Sequence, residues 1–359
     1  MLLTFTEIRA KYRAVAPFRL PDHSGSLLRG VLGRALRRAA CVAPDPCASA
    51  CQSPAACAYT RLFDPSVPDP LPHRFLRGAT RAPQPLVPLF PTRGGRWLEA
   101  GHDLDLGVRI LGPLQPGDAE RLHAAFEHVA DFPLGPDSGR VVLDTITQIG
   151  AHNRHIDVRP GEPAQGHVRM SFETPVWIEH GGRLIAPADV DFVAVFRQAY
   201  RRLTTLAALY GTPEADDELT FADLAALAGE VCTVERDLRA LRWERWSVEK
   251  DVRHPMRGLV GSVVFEGPLG ALLPALHAAE VVHVGKGTSH GLGAVRVEWQ
   301  TRPGGTPPRT GTTGAGSVSD PRVRSQAYSG GHERLRARKP GAIQYPHPLS
   351  ISMKAENRL

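Results

Sequence analysis

A short glycine-rich stretch near residue 290 holds the residue types best suited to binding a phosphate. Its glycines are Gly285, Gly287, Gly291 and Gly293, and Lys286 lies among them. Glycine permits positive φ angles and close approach of a ligand, and successive N–H groups can form an anion-binding concavity. Because a strand pattern follows, residues 285–293 predict a cradle for a phosphate backbone. The alternative is a glycine-rich hairpin that binds nothing.

Two common nucleotide-binding motifs do not fit this stretch. A Walker A loop needs a glycine five residues before the residue that precedes its lysine, and that position is Glu280. The dinucleotide fingerprint, started at Gly285, needs a glycine where the chain has His290. The dinucleotide fingerprint should also be followed by a helix, whereas this stretch is followed by a strand. Both motifs are therefore excluded.

A basic helix is the second candidate for contacts with phosphate. Apolar residues recur with the helical period over residues 27–39. Four arginines lie off this apolar stripe: Arg29, Arg34, Arg37 and Arg38. They form either a solvated basic face, which is usual for a single helix, or a phosphate-binding face. Gly30 and Gly33 weaken the helix, which favours close packing or ligand approach at these positions.

Four of the five cysteines lie close together in the sequence. Their spacing is Cys41-x5-Cys47-x3-Cys51-x5-Cys57. A disulfide framework is not expected in a cytoplasmic protein of this size, and four thiolates in one loop suit tetrahedral zinc. The spacing therefore predicts a structural zinc at these four residues. An iron–sulfur cluster and four unligated thiols are the alternatives.

The basic residues are concentrated at the end of the chain. Residues 300–359 hold ten Lys/Arg and three Asp/Glu, which leaves 33 basic and 34 acidic residues in the rest. The high pI of about 9.3 is therefore no evidence that the body binds nucleic acid. Residues 301–359 also lack hydrophobic periodicity, and we predict a disordered basic tail.

Length and hydropathy indicate a cytoplasmic protein of two domains. The chain has 359 residues, enough for two domains of ordinary size. No stretch has the apolar length of a membrane span, and the first residues lack the order of a signal peptide. We therefore expect no membrane association.

The element pattern repeats once along the chain. Strand, helix, strand, strand, helix, strand is predicted in residues 1–158 and again in residues 159–300, with the cysteine loop (41–63) inserted after the first helix. This order predicts an α+β protein of tandem ferredoxin-like (RRM-like) domains. In the second domain we expect a hairpin over 241–250 and 258–266, and a helix over 269–279 that is short or kinked at Pro274.

Several motifs resemble one protein family over roughly residues 1–299. In the amino half they are Leu28-Arg29-Gly30-Val-Leu-Gly33-Arg-Ala-Leu36 and the cysteine loop; later come Thr174-Pro175-Val-Trp-Ile, Trp243-Glu-Arg245-Trp246-Ser247 and the glycine-rich stretch. These resemble the CRISPR-associated endoribonucleases of the RAMP superfamily, which cut precursor crRNA within each repeat. The glycine-rich stretch is the most specific of them.

The resemblance implies metal-independent cleavage of repeat RNA, with no cofactor in the reaction. In the family the 2′-hydroxyl attacks the adjacent phosphate, which leaves a 2′,3′-cyclic phosphate and a 5′-hydroxyl. This needs a general base, a general acid and cations on the developing charge. Many members have a histidine in the first helix where this chain has Arg34. His23 is therefore our first candidate for the catalytic histidine and His290 our second. Lys286 is the candidate cation that stabilises the developing charge.

The resemblance also implies the binding residues and partners. Repeat RNA is expected to contact the basic helix and the glycine-rich stretch, including Thr288 and Ser289, and other Cas effector subunits are expected as partners. The first alternative is a non-cleaving crRNA-binding subunit of an effector complex. The second is a zinc-stabilised protein-interaction module.

Overall fold

The computed structural model describes residues 2–41, 56–90, 95–149, 155–157, 160–212, 221–247 and 252–300. The predicted tail at 301–359 lies outside these residues, as do Cys47 and Cys51 of the cysteine loop. Within the described part, no helix is long and apolar enough to cross a membrane.

The described part of the amino-terminal half contains the predicted βαββαβ order and, in addition, one short helix and three short strands that were not predicted. Its elements are β1 (Leu2–Ala14), β2 (Phe18–Leu20), α1 (Gly25–Ala40), α2 (Ala58–Phe63), β3 (Leu86–Leu89), β4 (Arg96–Leu98), β5 (Asp103–Leu111), α3 (Asp118–Val129), β6 (Val141–Ile149) and β7 (His155–Asp157). An antiparallel sheet has the order β3-β5-β1-β6, with β7 beside the start of β1, and β2 pairs with β4 separately.

One face of this sheet packs against α1 and α3. Because side chains alternate along a strand, Ile8, Ala10 and Tyr12 of β1 all enter this core. Tyr12 is fully buried, and its hydroxyl donates to the carbonyl of Phe126 at 2.6 Å. The core fixes α1 on the sheet and so fixes the residues at its amino-terminal end.

The carboxy-terminal half repeats the same plan. Its elements are β8 (Gly166–Val176), β9 (Glu179–His180), β10 (Arg183–Leu184), α4 (Phe192–Tyr210), α5 (Phe221–Gly229), β11 (Cys232–Ser247), β12 (Val252–Gly267), α6 (Leu273–Val282) and β13 (Val295–Gln300). The sheet order is β11-β12-β8-β13. Each half contains a βαββαβ unit, and across its sheet the four strands of that unit lie in the order second, third, first, fourth. The tandem ferredoxin-like prediction is therefore confirmed.

Two predicted elements of this half differ from the structure. The hairpin of β11 and β12 begins at Cys232, well before the predicted start at 241, because the exposed, charged first part of β11 has no hydrophobic alternation to reveal it. The helix predicted over 269–279 is short, as expected, but it spans Leu273–Val282. Pro274 therefore lies in its first turn, where the N–H that proline lacks would have no partner in the helix.

A third apolar cluster joins the two halves. Leu3 and Phe5 of β1 pack with Leu203 and Leu206 of α4 and with Val282 at the end of α6. All of these side chains are buried. The outer face of the first sheet is thus covered at one end by helices of the second half, and the described residues belong to one compact unit.

Candidate active site between the two halves

The glycine-rich stretch forms a loop between α6 and β13. Five of its residues have positive φ angles: His283 (65°), Gly285 (83°), Gly287 (74°), Gly291 (76°) and Gly293 (81°). A Cβ atom at Gly285 would overlap the carbonyl oxygen of Trp177, and one at Gly293 would overlap that of Val284. Glycine at positions 285 and 293 is therefore required by the loop's own conformation, whether or not a ligand binds.

Part of the loop's hydrogen-bonding capacity is used inside the protein. The N–H of Lys286 donates to the carbonyl of Trp177 at 2.9 Å, and the N–H of Gly293 donates to that of Pro175 at 3.0 Å. In the described part of the chain, the N–H groups of Gly285 and of residues 287–289 have no acceptor. The backbone donors of the predicted phosphate cradle are thus those of Gly285 and of this central turn.

Two arginines hold the end of α6, from which the loop starts. Arg109 of β5 donates to two of the last three carbonyls of α6, at 3.1 and 3.3 Å, and Arg202 of α4 donates to the third, that of Val282, at 2.6 Å. Cations at a helix C-terminus satisfy its last carbonyls and its dipole. Arg109 also pairs with the buried carboxylate of Glu7 at 2.8 Å. The loop is therefore held directly against the amino-terminal half.

The two candidate histidines line the same narrow cleft, although they come from opposite halves of the chain. His23 lies in the turn before α1 and His290 in the glycine loop, and Ser26 and Trp243 line the cleft with them. The His23 ring stacks on the Trp243 indole with 4.0 Å between the ring centroids. The Ser26 hydroxyl lies 3.5 Å from Nδ1 of His290. The cleft therefore contains two groups able to transfer protons.

Burial lowers the pKa of both histidines. Desolvation lowers that of His23, and the carboxylate of Asp22 partly opposes the effect. Desolvation, followed by the positive charges of Arg29 and Arg245, lowers the pKa of His290 to about 3. Both rings are therefore mainly neutral near pH 7, and His290 is a very weak base.

The four arginines of α1 have different surroundings. The guanidinium of Arg29 lies over the Phe63 ring at 4.4 Å and close enough to His290 for its charge to act there. The other three have partners within the amino-terminal half: Phe132 for Arg34 (4.7 Å to the ring centroid), Tyr59 for Arg37 (4.6 Å) and Asp131 for Arg38 (3.3 Å). Of the four, Arg29 is the one whose charge acts on the cleft.

The two glycines inside α1 differ as well. A Cβ atom at Gly33 would lie 2.7 Å from the Phe63 ring, whereas one at Gly30 would meet nothing within 4 Å. Gly33 is thus explained by close packing. Gly30 is exposed and leaves open surface next to Arg29.

Lys286 is engaged at the outer side of the loop. Its ammonium group pairs with Glu179 at 2.5 Å, and its side chain is 60% exposed. The other carboxylate oxygen of Glu179 accepts from the Trp177 indole at 2.9 Å. Lys286 is not among the described residues that line the histidine cleft. A phosphate at this position would have to compete with Glu179 for the lysine.

The cysteine loop is described only at its two ends. Cys41 follows α1, Cys57 precedes α2, and both are free thiols. Among the described residues, no group of three or more His, Cys, Asp or Glu side chains could hold a metal ion. The zinc prediction involves Cys47 and Cys51, which lie outside the described residues, and it therefore stays a prediction without structural support.

Three polar or aromatic residues at the cleft were not predicted as site residues from the sequence. Ser26 and Trp243 line it, and Arg245 acts on His290 by its charge. Trp243 and Arg245 are two positions apart in β11 and so share one face of the strand. That spacing was the available signal. Nothing in the sequence indicated that this face would meet the start of α1.

Two family models together match nearly all of the described chain. One, described as an N-terminal domain, matches residues 3–169. The other, CRISPR-associated endoribonuclease Cas6, matches residues 170–295, which include β11, β12 and the glycine loop. Residues 170–295 therefore belong to the Cas6 family. The predicted family resemblance is thereby confirmed.

Solved Cas6 structures are similar in fold. A partial Cas6-RT-Cas1–Cas2 complex is 12% identical, with a TM-score of 0.52 over 83% of this chain and 46% of that one. A Cas6 product complex is 17% identical (TM-score 0.48, 82% and 100% covered), and Thermus thermophilus Cas6 is 16% identical (TM-score 0.46, 82% and 99% covered). No curated protein matches significantly. At 12% identity the likeness to the partial Cas6-RT-Cas1–Cas2 complex bears on the fold alone.

Proposed function

We propose that this chain is a metal-independent endoribonuclease that cuts precursor crRNA within CRISPR repeats. Membership in the Cas6 family supports a role in processing CRISPR repeat RNA. One observation supports the cleavage chemistry in this member: His23 and His290 share a cleft on which the charges of Arg29 and Arg245 act. Strand cleavage of RNA needs such proton-transfer groups and cations in one place.

In the proposed reaction the RNA supplies its own nucleophile. A general base takes the proton of the 2′-hydroxyl, and the resulting oxygen attacks the adjacent phosphorus. The bond from phosphorus to the 5′-oxygen then breaks, and that oxygen takes up a proton from a general acid. The products are a 2′,3′-cyclic phosphate and a 5′-hydroxyl, and guanidinium groups stabilise the negative charge that develops between these steps.

We assign the general base to His23. A base works best when its pKa lies near the working pH, and the pKa of about 3 makes His290 a poor choice in the free protein. His290 remains the second candidate. A phosphate bound beside Arg29 and Arg245 would offset their charges and raise the pKa of that ring.

Arg29 and Arg245 are the proposed cations for the developing charge. Their charges already act on His290, and a guanidinium can donate two parallel hydrogen bonds to a phosphate. We place Lys286 outside the chemical step because it pairs with Glu179 and does not line the cleft. Its proposed role is a contact with the RNA backbone beside the glycine loop.

The proposal extends to partners. One similar solved structure is part of a Cas6-RT-Cas1–Cas2 complex, and another is a complex with its product. We therefore expect this chain to bind CRISPR repeat RNA and to associate with other Cas proteins.

Incubation with CRISPR repeat RNA in the presence of EDTA tests the proposal. We expect cleavage with a 2′,3′-cyclic phosphate end, and none when 2′-deoxyribose replaces the ribose at the cut site. Cleavage of the deoxy substrate, or a requirement for magnesium, would exclude this mechanism. Binding without cleavage would identify a non-cleaving crRNA-binding subunit instead.

A further inference from the structure

A second cavity adjoins the same turn of the glycine loop. It measures about 260 Å³ and lies between the two halves. Among the residues that line it are three arginines and two hydroxyl residues of the turn: Arg29, Arg81, Arg202, Thr288 and Ser289. The cavity is therefore rich in cationic and hydrogen-bond-donating groups, and it has room for a ligand larger than a water molecule.

Positive charge dominates the lining. Arg81 pairs with Asp64, which also lines the cavity. Arg202 donates through Nε to the Val282 carbonyl, and within the described part of the chain no carboxylate pairs with its guanidinium. Desolvation lowers the pKa of Arg202 to about 10, so the side chain is cationic at neutral pH. Arg29 adds a further charge.

A largely buried cation without a carboxylate is costly unless an anion compensates it. The Nη groups of a guanidinium form a fork that matches the oxygens of a phosphate. Hydroxyl groups such as those of Thr288 and Ser289 can donate to the remaining oxygens. A phosphoryl group thus suits both the charge and the donors of this cavity.

We propose that this cavity binds a phosphoryl group, held by Arg202 and Arg29 and by the hydroxyl groups of the glycine turn. Arg29 lies beside both the cavity and His290. One RNA strand could therefore place a phosphate here and its scissile phosphate in the histidine cleft. The RNA source rests on the proposed function, whereas the anion site itself does not.

Thermal unfolding in inorganic phosphate, compared with chloride at equal ionic strength, tests the anion site without RNA. Phosphate that binds the folded state alone should raise the melting temperature of the wild type by roughly 2–4 °C once it exceeds its dissociation constant several-fold. Arg202→Met should abolish this rise, and Arg202→Lys should retain part of it. A wild type that melts at the same temperature in both salts would overturn the proposal.

Arg109→Met is the matched control, because Arg109 also binds the last carbonyls of α6 but does not line the cavity. It should lower the melting temperature in both salts and keep the rise with phosphate. If Arg109→Met loses the rise as fully as Arg202→Met does, the effect comes from α6 and the proposal is wrong.

Repeat RNA separates the two sources of the phosphate. If the strand supplies it, Arg202→Met should reduce the slope of log affinity against log salt by about 0.7–0.9, the share of one phosphate contact. An unchanged slope with a phosphate-dependent melting temperature would identify a free phosphoryl anion as the ligand. If phosphate does not raise the melting temperature of the wild type and the wild type still cuts repeat RNA, the cavity proposal is wrong and the proposed function is unaffected.

Discussion

The two ends of helix α1 carry the same residue type in different surroundings. At the amino-terminal end, the charge of Arg29 acts on His290, and its side chain lines the second cavity. Toward the other end, Arg34 and Arg37 lie over aromatic rings and Arg38 pairs with Asp131. All four belong to one basic helix, yet we expect its first arginine alone to take part in catalysis.

The comparison teaches that neighbours decide what a charge can do. An arginine over a ring of its own domain contributes packing and cation–π energy, and it must give up part of that contact to bind RNA. An arginine beside a cleft can meet a ligand where the chemistry takes place. We therefore expect the helix to divide into a catalytic end, at Arg29, and a packing end, toward Arg38.

The largest expected effect is at the catalytic end, in the turn before α1. His23→Ala should lower the rate of repeat-RNA cleavage by ~10²–10⁴-fold, the usual contribution of a general base, while affinity for the RNA stays nearly unchanged. Single-turnover cleavage and a binding titration measure the two quantities. His128→Ala, on α3, is the control and should cut normally. A loss of only a few-fold would exclude His23 as the base and direct the same test to His290→Ala.

The pH dependence of the same reaction gives an independent check. Because burial lowers the pKa of His23 below its ordinary value of 6.5, the ring stays neutral and able to accept a proton at pH 7. As the pH falls through the lowered pKa, protonation removes the base. The kcat/KM for cleavage, which reports the pKa values of the free enzyme, should therefore decline as the pH falls below 6.5. A decline centred above that value would contradict the assignment.

The next largest effect is expected when arginines at the two ends of α1 are changed and compared directly. Arg29→Gln should lower cleavage by about 10²-fold, because it removes a cation beside the developing charge. Arg38→Gln, on the same helix, should change it less than about twofold, since an exposed ion pair contributes little. Single-turnover rates at saturating protein measure both. Equal losses in the two variants would show that the helix acts as one uniform basic surface.

The fold could be predicted from sequence further than the site could. Strand and helix periodicities are local, so the repeated βαββαβ order was readable, and the sheet order follows from it. The start of β11 could not be read because its exposed residues carry no hydrophobic alternation. The cleft unites His23, Trp243 and His290, which come from three distant segments. Their types were visible, but their meeting depends on how the two halves pack.

A smaller effect is expected at Lys286, on the outer side of the loop. Lys286→Ala should weaken RNA binding a few-fold and reduce the salt slope by about 0.7–0.9, because one phosphate contact is lost. Its cleavage rate at saturation should stay close to that of the wild type. Glu179→Gln is the informative partner, since it frees the lysine from its ion pair and should bind RNA as well as or better than the wild type. Weaker binding by Glu179→Gln would argue that the ion pair itself shapes the loop.

The smallest effect on cleavage is expected beyond the packing end of α1, where the cysteine loop begins. If Cys41, Cys47, Cys51 and Cys57 hold zinc, the purified protein should contain about one metal ion per chain. The double change Cys47→Ser and Cys51→Ser should remove it and lower the melting temperature by roughly 4–8 °C if the metal contributes about 2 kcal/mol. Repeat-RNA cleavage below that temperature should be unchanged, because the nucleophile comes from the RNA and the histidine cleft lies at the other end of the helix.

Cys232→Ser, which changes the isolated cysteine, should alter neither metal content nor stability. Metal-free wild-type protein would remove the zinc prediction, and loss of cleavage in the double variant at full stability would show that the two ends of α1 are not separate after all.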